Sequence, residues 1–214
     1  MIDVIPGILE KDFAAIEKKL RLYAPYVSWV HLDVADHTYV PNTLFLDFEK
    51  LGVLLGQSFA KGLSIEAHIM VVNPAKYIKP LVDAGVKRLI AHVESNDPRI
   101  FLDEAKFESV EIGLAIDGPT EIEQIEPYLD EIDFVHILTI EAGFSGQPFT
   151  PEAVEKIRLI RQNYPNLPIS VDGGMDDRTA RIVREAGATR IIVTSYFYEH
   201  SDDIPGLFKN LRGS

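Results

Sequence analysis

Four residues in this sequence have the types and spacing to hold a metal ion and move protons. His31 and Asp33 stand two apart in Val30-His-Leu-Asp33, so an extended strand carries both on one face. His68 lies in Glu66-Ala-His-Ile-Met70, and Asp172 in Ser170-Val-Asp-Gly-Gly174, 104 residues after His68. Two imidazoles and two carboxylates form a nitrogen and oxygen donor set that suits one divalent ion such as Zn, Fe, Mn or Co. The chain has no cysteine, which removes thiolate ligands and a cysteine nucleophile together. Two carboxylates beside a Lewis acid suit removal of a proton next to a carbonyl and its return on the other face, an epimerisation through an enediolate. No lysine accompanies the four, so Schiff-base chemistry has no candidate there, and no Ser–His–Asp order is apparent. His92 and His136 stand alone in apolar runs and read as satisfied core histidines.

A second group of residues suits a phosphate. Gly143, Phe144, Ser145 and Gly146 form one glycine-rich stretch, Gly173 and Gly174 another, and Thr194-Ser195 follows a late apolar run. Glycine lets backbone N–H groups approach an anion closely, so such loops bind phosphate without basic side chains.

The elements that must position these residues alternate along the whole chain. Strand-like runs rich in Ile and Val cover Asp3–Leu9, Val27–Ala35, Leu63–Val71, Arg88–Glu94, Glu111–Asp117, Phe134–Ile140, Pro168–Gly173 and Arg190–Phe197. They lack polar alternation, as strands covered on both faces do. Helical periodicity falls at 12–24, 47–60, 73–85, 96–108, 120–129, 151–164, 177–187 and 202–212. Helix starts are read at Asn73-Pro74, at Thr120 before Glu123 and at Thr150-Pro151, and helix stops at Gly85 and Gly187. Eight such units predict an α/β fold: a single-domain (β/α)8 TIM barrel with eight parallel strands over residues 1–214. A doubly wound open sheet is the competing topology. Repeats favour the barrel: Asp83–Ile90 is echoed by Glu185–Ile192 after 102 residues, and Trp29–Leu32 by Phe134–Ile137 after 105, offsets of four strand–helix units. Barrel active sites lie at the carboxyl ends of the strands, where the residues above are expected.

Composition sets the outer limits. The 214 residues are 46% hydrophobic and 25% charged, ordinary for a globular chain. Twenty-one Lys and Arg against 33 Asp and Glu give a net charge of −12, which argues against nucleic-acid and anionic-membrane partners. No run approaches a membrane span of about 20 apolar residues, and the start has no basic region ahead of an apolar one. A cytoplasmic setting is therefore expected. The negative charge need not repel an anionic substrate, because a dication and backbone N–H groups make one face locally positive.

The ordered motifs resemble the ribulose-phosphate 3-epimerase family from the first strand to the last helix. They are Val4-Ile-Pro-Gly-Ile-Leu9, Val30-His-Leu-Asp-Val-Ala-Asp36 with Val40-Pro-Asn42, Ala67-His-Ile-Met70 with Asn73-Pro74, Gly143-Phe-Ser-Gly-Gln147 and Val171-Asp-Gly-Gly174. The resemblance implies that His31, Asp33, His68 and Asp172 hold one divalent ion. It further implies that Asp33 and Asp172 are the acid/base pair on opposite faces of C3. The phosphate end of a small sugar phosphate would lie against Gly143–Gly146, Gly173, Gly174, Thr194 and Ser195, with His68 and Met70 beside the sugar. The implied reaction interconverts D-ribulose 5-phosphate and D-xylulose 5-phosphate, and a homo-oligomer is implied too. Some positions depart from the family pattern. Gly7 replaces a substrate-contacting Ser, Ala35 and Leu138 replace methionines, and His37 replaces a Gly. Glu141-Ala142 replaces Asn-Pro, and Thr194 replaces a phosphate-loop Gly. The competing readings are 3-epimerisation of a hexulose 6-phosphate such as allulose 6-phosphate, and a non-catalytic barrel that binds metal and phosphate.

Overall fold

Eight Ile- and Val-rich runs become parallel strands in the computed structural model, which describes residues 2–144 and 146–213. They are β1 (Asp3–Ile8), β2 (Trp29–Ala35), β3 (Ser64–Met70), β4 (Arg88–His92), β5 (Glu111–Ile116), β6 (Phe134–Leu138), β7 (Ile169–Asp172) and β8 (Arg190–Val193). They close in sequence order, with Asp3 of β1 in register with Arg190 of β8 and Pro6 with Val193. This is the expected (β/α)8 barrel. Both faces of the strands are covered, as the unbroken buried pattern of β4 and β6 records.

Helices follow the strands: α1 (Phe13–Tyr23), α2 (Phe48–Leu55), α3 (Ala75–Asp83), α4 (Pro98–Ala105), α5 (Ala153–Asn163), α6 (Asp177–Ala186), α7 (Ser195–Glu199) and α8 (Ile204–Arg212). By its internal contacts the chain forms two compact units, Met1–Pro6 with Leu114–Ser214, and Gly7–Gly113. The division falls close to the four-unit offset of the sequence repeats.

Three expected elements differ. The segment 120–129 is not an α-helix but two short 3-10 turns, Ile122–Gln124 and Glu126–Tyr128. Pro127 lacks the N–H an α-helix would need and crowds the preceding turn. The run 47–60 breaks after Leu55 and resumes as a 3-10 turn at Ser58–Ala60. The last strand stops at Val193, and Ser195–Glu199, whose Tyr and Phe had read as strand, turns into α7. The start read at Thr150-Pro151 also shifts: α5 begins at Ala153, whose N–H donates to the Thr150 carbonyl at 3.2 Å.

The loop after β7 is fixed from both sides. The Thr139 N–H donates to the Asp172 carbonyl at 2.8 Å, and its hydroxyl donates to the same oxygen at 3.0 Å. The Thr179 hydroxyl donates to the Gly174 carbonyl at 2.8 Å, while Asp176 caps α6 in a reciprocal box with Thr179.

Gly187 ends α6 at φ 118°, and a Cβ there would meet Arg161 Cγ at 2.7 Å. Gly187→Ala is therefore expected to lower unfolding free energy by about 1–3 kcal/mol, read as an earlier denaturant midpoint at unchanged slope.

Candidate active site

One face of β2, β3 and β4 carries a buried row of ionisable side chains. The register pairs His31 with Glu66 and Asp33 with His68 across β2 and β3, then Glu66 with Arg88 across β3 and β4. Alternation places His31 and Asp33, Glu66 and His68, and Arg88 and His92 each on one face of their strand. All six are buried. Burial of so many polar groups is tolerated only where each finds a partner.

Asp33 is the point where two rings meet. Its Oδ1 lies 2.9 Å from His68 Nδ1 and 3.3 Å from His31 Nε2. The far nitrogen of each ring is held from behind. His31 Nδ1 lies 2.8 Å from Glu66 Oε1, and Glu66 in turn takes Arg88 Nη1 at 3.3 Å. Arg88 continues to Glu111, with Nε 2.6 Å from Oε2, and its guanidinium stacks 3.5 Å over the Trp29 ring. His68 Nε2 lies 2.8 Å from His92 Nε2, and His92 Nδ1 faces Glu94 Oε2 at 3.2 Å and the Tyr39 hydroxyl at 3.3 Å.

Burial disfavours charge on His31, yet Asp33 and then Glu66 outweigh it and hold the ring protonated well above the usual histidine range. Burial also pushes the Asp33 carboxyl up, and His31 and His68 outweigh that and hold it well below the usual carboxylate range. Protons on the rings thus supply the positive charge that this buried carboxylate requires.

The other expected residues occupy β6, β7 and the loops beyond. Asp172 is the last residue of β7 and partly exposed; its Oδ2 lies 3.7 Å from His136 Nε2. His136 Nδ1 faces the Ser170 hydroxyl at 3.2 Å. Gly173 and Gly174 both take left-handed backbone, at φ 107° and 60°. A Cβ on Gly173 would meet Ile140 Cγ1 at 2.4 Å, and one on Gly174 the Phe149 nitrogen at 2.9 Å. Packing alone therefore requires both glycines. Gly146, at φ 80°, has nothing within 4 Å of a built Cβ, and Gly143 is buried at φ 109°. Gln147 fixes this loop by donating to the carbonyls of Glu141 at 2.7 Å and Phe144 at 2.8 Å. Phe144 is half-exposed at the loop, and Ser145 lies outside the described residues. Thr194 takes φ −115°, so its branched side chain carries no left-handed strain, and Ser195 begins α7. Gly7 pairs with His31 in the β1–β2 register, and Met70 is buried at the end of β3.

His92 and His136 are fully buried, as the sequence reading of core histidines has it, and each also neighbours a candidate residue: His92 meets His68, and His136 Nε2 lies 3.7 Å from Asp172 Oδ2. Glu66 and Glu94 are supporting residues that residue type alone does not single out. Glu66 stands two residues from His68 in β3, which alternation places on the same face, and Glu94 stands two residues after His92 in the turn beyond β4.

The loop after β2 keeps a glycine-like backbone at the position where His37 replaces a Gly. His37 adopts φ 72°, the left-handed backbone that favours glycine. Around it, Thr38 N–H donates to Asp36 Oδ1 at 3.0 Å and the Tyr77 hydroxyl to Asp36 Oδ2 at 2.8 Å. Burial, then the Asp36 carboxylate, pushes the Tyr77 hydroxyl up to about 12.

The family model described as the ribulose-phosphate 3 epimerase family matches residues 3–198. The chain belongs to this family. Ribulose-phosphate 3-epimerase, cytoplasmic isoform, from Oryza sativa subsp. japonica is 32% identical, covering 99% of this chain and 95% of its own. The Bacillus subtilis ribulose-phosphate 3-epimerase is 30% identical over the full length of both chains. The chain is accordingly an isomerase of the epimerase type. Solved structures at lower identity share the fold alone. KGPDC from Streptococcus mutans superposes with TM-score 0.74 at 13% identity over 99% of this chain and 96% of that one. A 3-hexulose-6-phosphate synthase reaches TM-score 0.70 at 14% identity over 99% and 97%.

The shifts of Asp33 and His31 set a pH dependence for the chelated protein. The Asp33 contribution is present above the unfolded carboxylate value near pH ~3.9 and is lost as pH falls through its lowered folded value. The His31 contribution is full below about 6.5, the unfolded histidine value, and is lost as pH rises through its raised folded value. Urea midpoints in the presence of chelator should thus fall on both the acid and the alkaline side. Asp33→Asn should flatten the acid limb.

Proposed function

We propose that this chain epimerises a pentulose phosphate at C3, interconverting D-ribulose 5-phosphate and D-xylulose 5-phosphate, with one divalent ion held by His31, Asp33, His68 and Asp172. The observation that carries this reading is the meeting of His31 Nε2 and His68 Nδ1 at one oxygen of Asp33, with both far nitrogens anchored. Family membership supplies the substrate class. The donor set fits the ion: imidazole nitrogens and carboxylate oxygens without thiolate suit Zn, Fe, Mn or Co and leave the choice among them open.

When bound, the ion supplies Lewis acidity to the oxygens of the ketose. The chain's own residues do the remaining work. One of Asp33 and Asp172 removes the C3 proton, and the other returns a proton to the opposite face. His31 and His68 keep Asp33 oriented. Met70 and Leu138, both buried at strand ends, exclude water from that neighbourhood. Gly143, Phe144, Ser145, Gly146, Gly173, Gly174, Thr194 and Ser195 are assigned to the phosphate end, where backbone N–H groups can meet its charge. Gly7 has no hydroxyl to offer the sugar.

Purified protein with divalent metal and ribulose 5-phosphate in deuterated water is expected to incorporate deuterium at C3 and form xylulose 5-phosphate. Bound metal without exchange on any ketose phosphate, hexulose 6-phosphates included, would point to the non-catalytic barrel. Asp172→Asn is expected to cut turnover by a factor of about 10² or more while the fold is kept. Near-normal activity with an unchanged circular dichroism spectrum would remove Asp172 from the acid/base pair.

A further inference from the structure

The side chain of Lys156 on α5 ends among backbone oxygens. Its partly buried ammonium donates to the carbonyls of Asp117 at 3.0 Å, of Gly118 at 2.6 Å and of Thr120. An ammonium has three N–H donors and no acceptor, so donors and carbonyls match in number. The oxygens belong to the turn just beyond β5. In an α-helix starting at Thr120, the Thr120 carbonyl would take the N–H of Gln124. That N–H goes to Glu121 at 3.1 Å instead, because the segment winds into two 3-10 turns. The Thr120 N–H turns back to the Asp117 oxygen at 3.2 Å and closes the turn around the ammonium. Carbonyl dipoles gathered at one point repel one another unless a cation sits among them, replacing its hydration shell with their oxygens.

The turn held in this way lies against the end of β6. A Cβ built on Gly118 would be 3.5 Å from the Ile140 oxygen and 3.7 Å from the Leu138 oxygen. The Ile140 side chain in turn fills the space at Gly173, where a Cβ would meet Cγ1 at 2.4 Å. The strand register of β6 and β7 runs to Leu138 with Asp172, which fixes Asp172 within the ladder. Gly173 lies beyond it and follows the end of β6, through Ile140 and through the Thr139 hydroxyl that donates to its carbonyl.

We infer that Lys156 is a positioning residue whose ammonium fills a monovalent-cation site made by the carbonyls of Asp117, Gly118 and Thr120. By holding the β5 turn against β6 it sets Gly173 and Gly174 for the phosphate end of the substrate. This second step rests on the phosphate assignment proposed above. The site takes a primary ammonium, a compact charge with three rotatable donors, and a planar guanidinium fork does not match it.

Lys156→Met keeps the bulk of the stem and removes the donors. In the full chain it is expected to raise KM for ribulose 5-phosphate about 10-fold, the worth of one charged hydrogen bond, with kcat changed less than about 2-fold. Wild-type KM, or a loss carried equally by kcat, overturns the positioning role. Lys156→Ala leaves room for propylammonium, which restores the missing carbons and the ammonium. Propylammonium is expected to bring KM back toward wild type and to raise the urea midpoint of this variant. Tetramethylammonium has charge without donors and 1-propanol has length without charge, so neither should do so. No effect of propylammonium, or an equal effect of either control, overturns the cation site. The urea midpoint needs no substrate. If wild-type protein epimerises no ketose phosphate, the functional reading fails by itself and the midpoint still decides the carbonyl site. Should Lys156→Ala not fold, the KM of Lys156→Met decides.

Discussion

A carboxylate with almost no access to water, faced by two imidazoles, is the constraint around which half of this barrel is organised. Burying Asp33 is unfavourable unless a cation or strong donors stand beside it, and His31 and His68 are the groups that do. Each ring then needs a partner for its second nitrogen, which brings in Glu66 and His92. Those two need partners of their own, which brings in Arg88, Glu94 and Tyr39. The row ends where it reaches water at Glu111 and where Arg88 stacks on Trp29. Every member is a consequence of the first, and apolar residues fill the other face of the same strands.

This explains why the fold could be read from sequence more fully than the site. Strands were legible because β-branched runs without polar alternation belong to sheets covered on both sides. The four-unit repeat then selected a closed ring. Helix 120–129 was misread because its apolar spacing is helical while Pro127 forbids the hydrogen bond, and a single residue outweighed the periodicity. β8 was extended too far because Tyr196 and Phe197 favour strands in isolation, whereas here they lie in a short helix.

In the site, the residues with the sharpest chemistry stood out and their supports did not. His31, Asp33 and His68 are brought together as their spacing suggested. His92 had the same residue type as His68 and an acid two residues on, but nothing in sequence order joins it to His68. Its partner lies 24 positions away on the neighbouring strand, and only the register discloses the contact. Glu66 was hidden for the opposite reason: it sits two residues from His68, and its meeting with His31 depends on strand pairing.

Thr194 carries a further meaning. Where glycine would leave the turn after β8 free to sample many backbone conformations, a β-branched residue at ordinary negative φ confines it in the unfolded and folded chain alike. Less conformational entropy remains for this turn to lose when it orders. If the phosphate end lies here as proposed, a stiff turn of this kind loses adaptability to odd-sized guests in return for a smaller ordering cost with the right one.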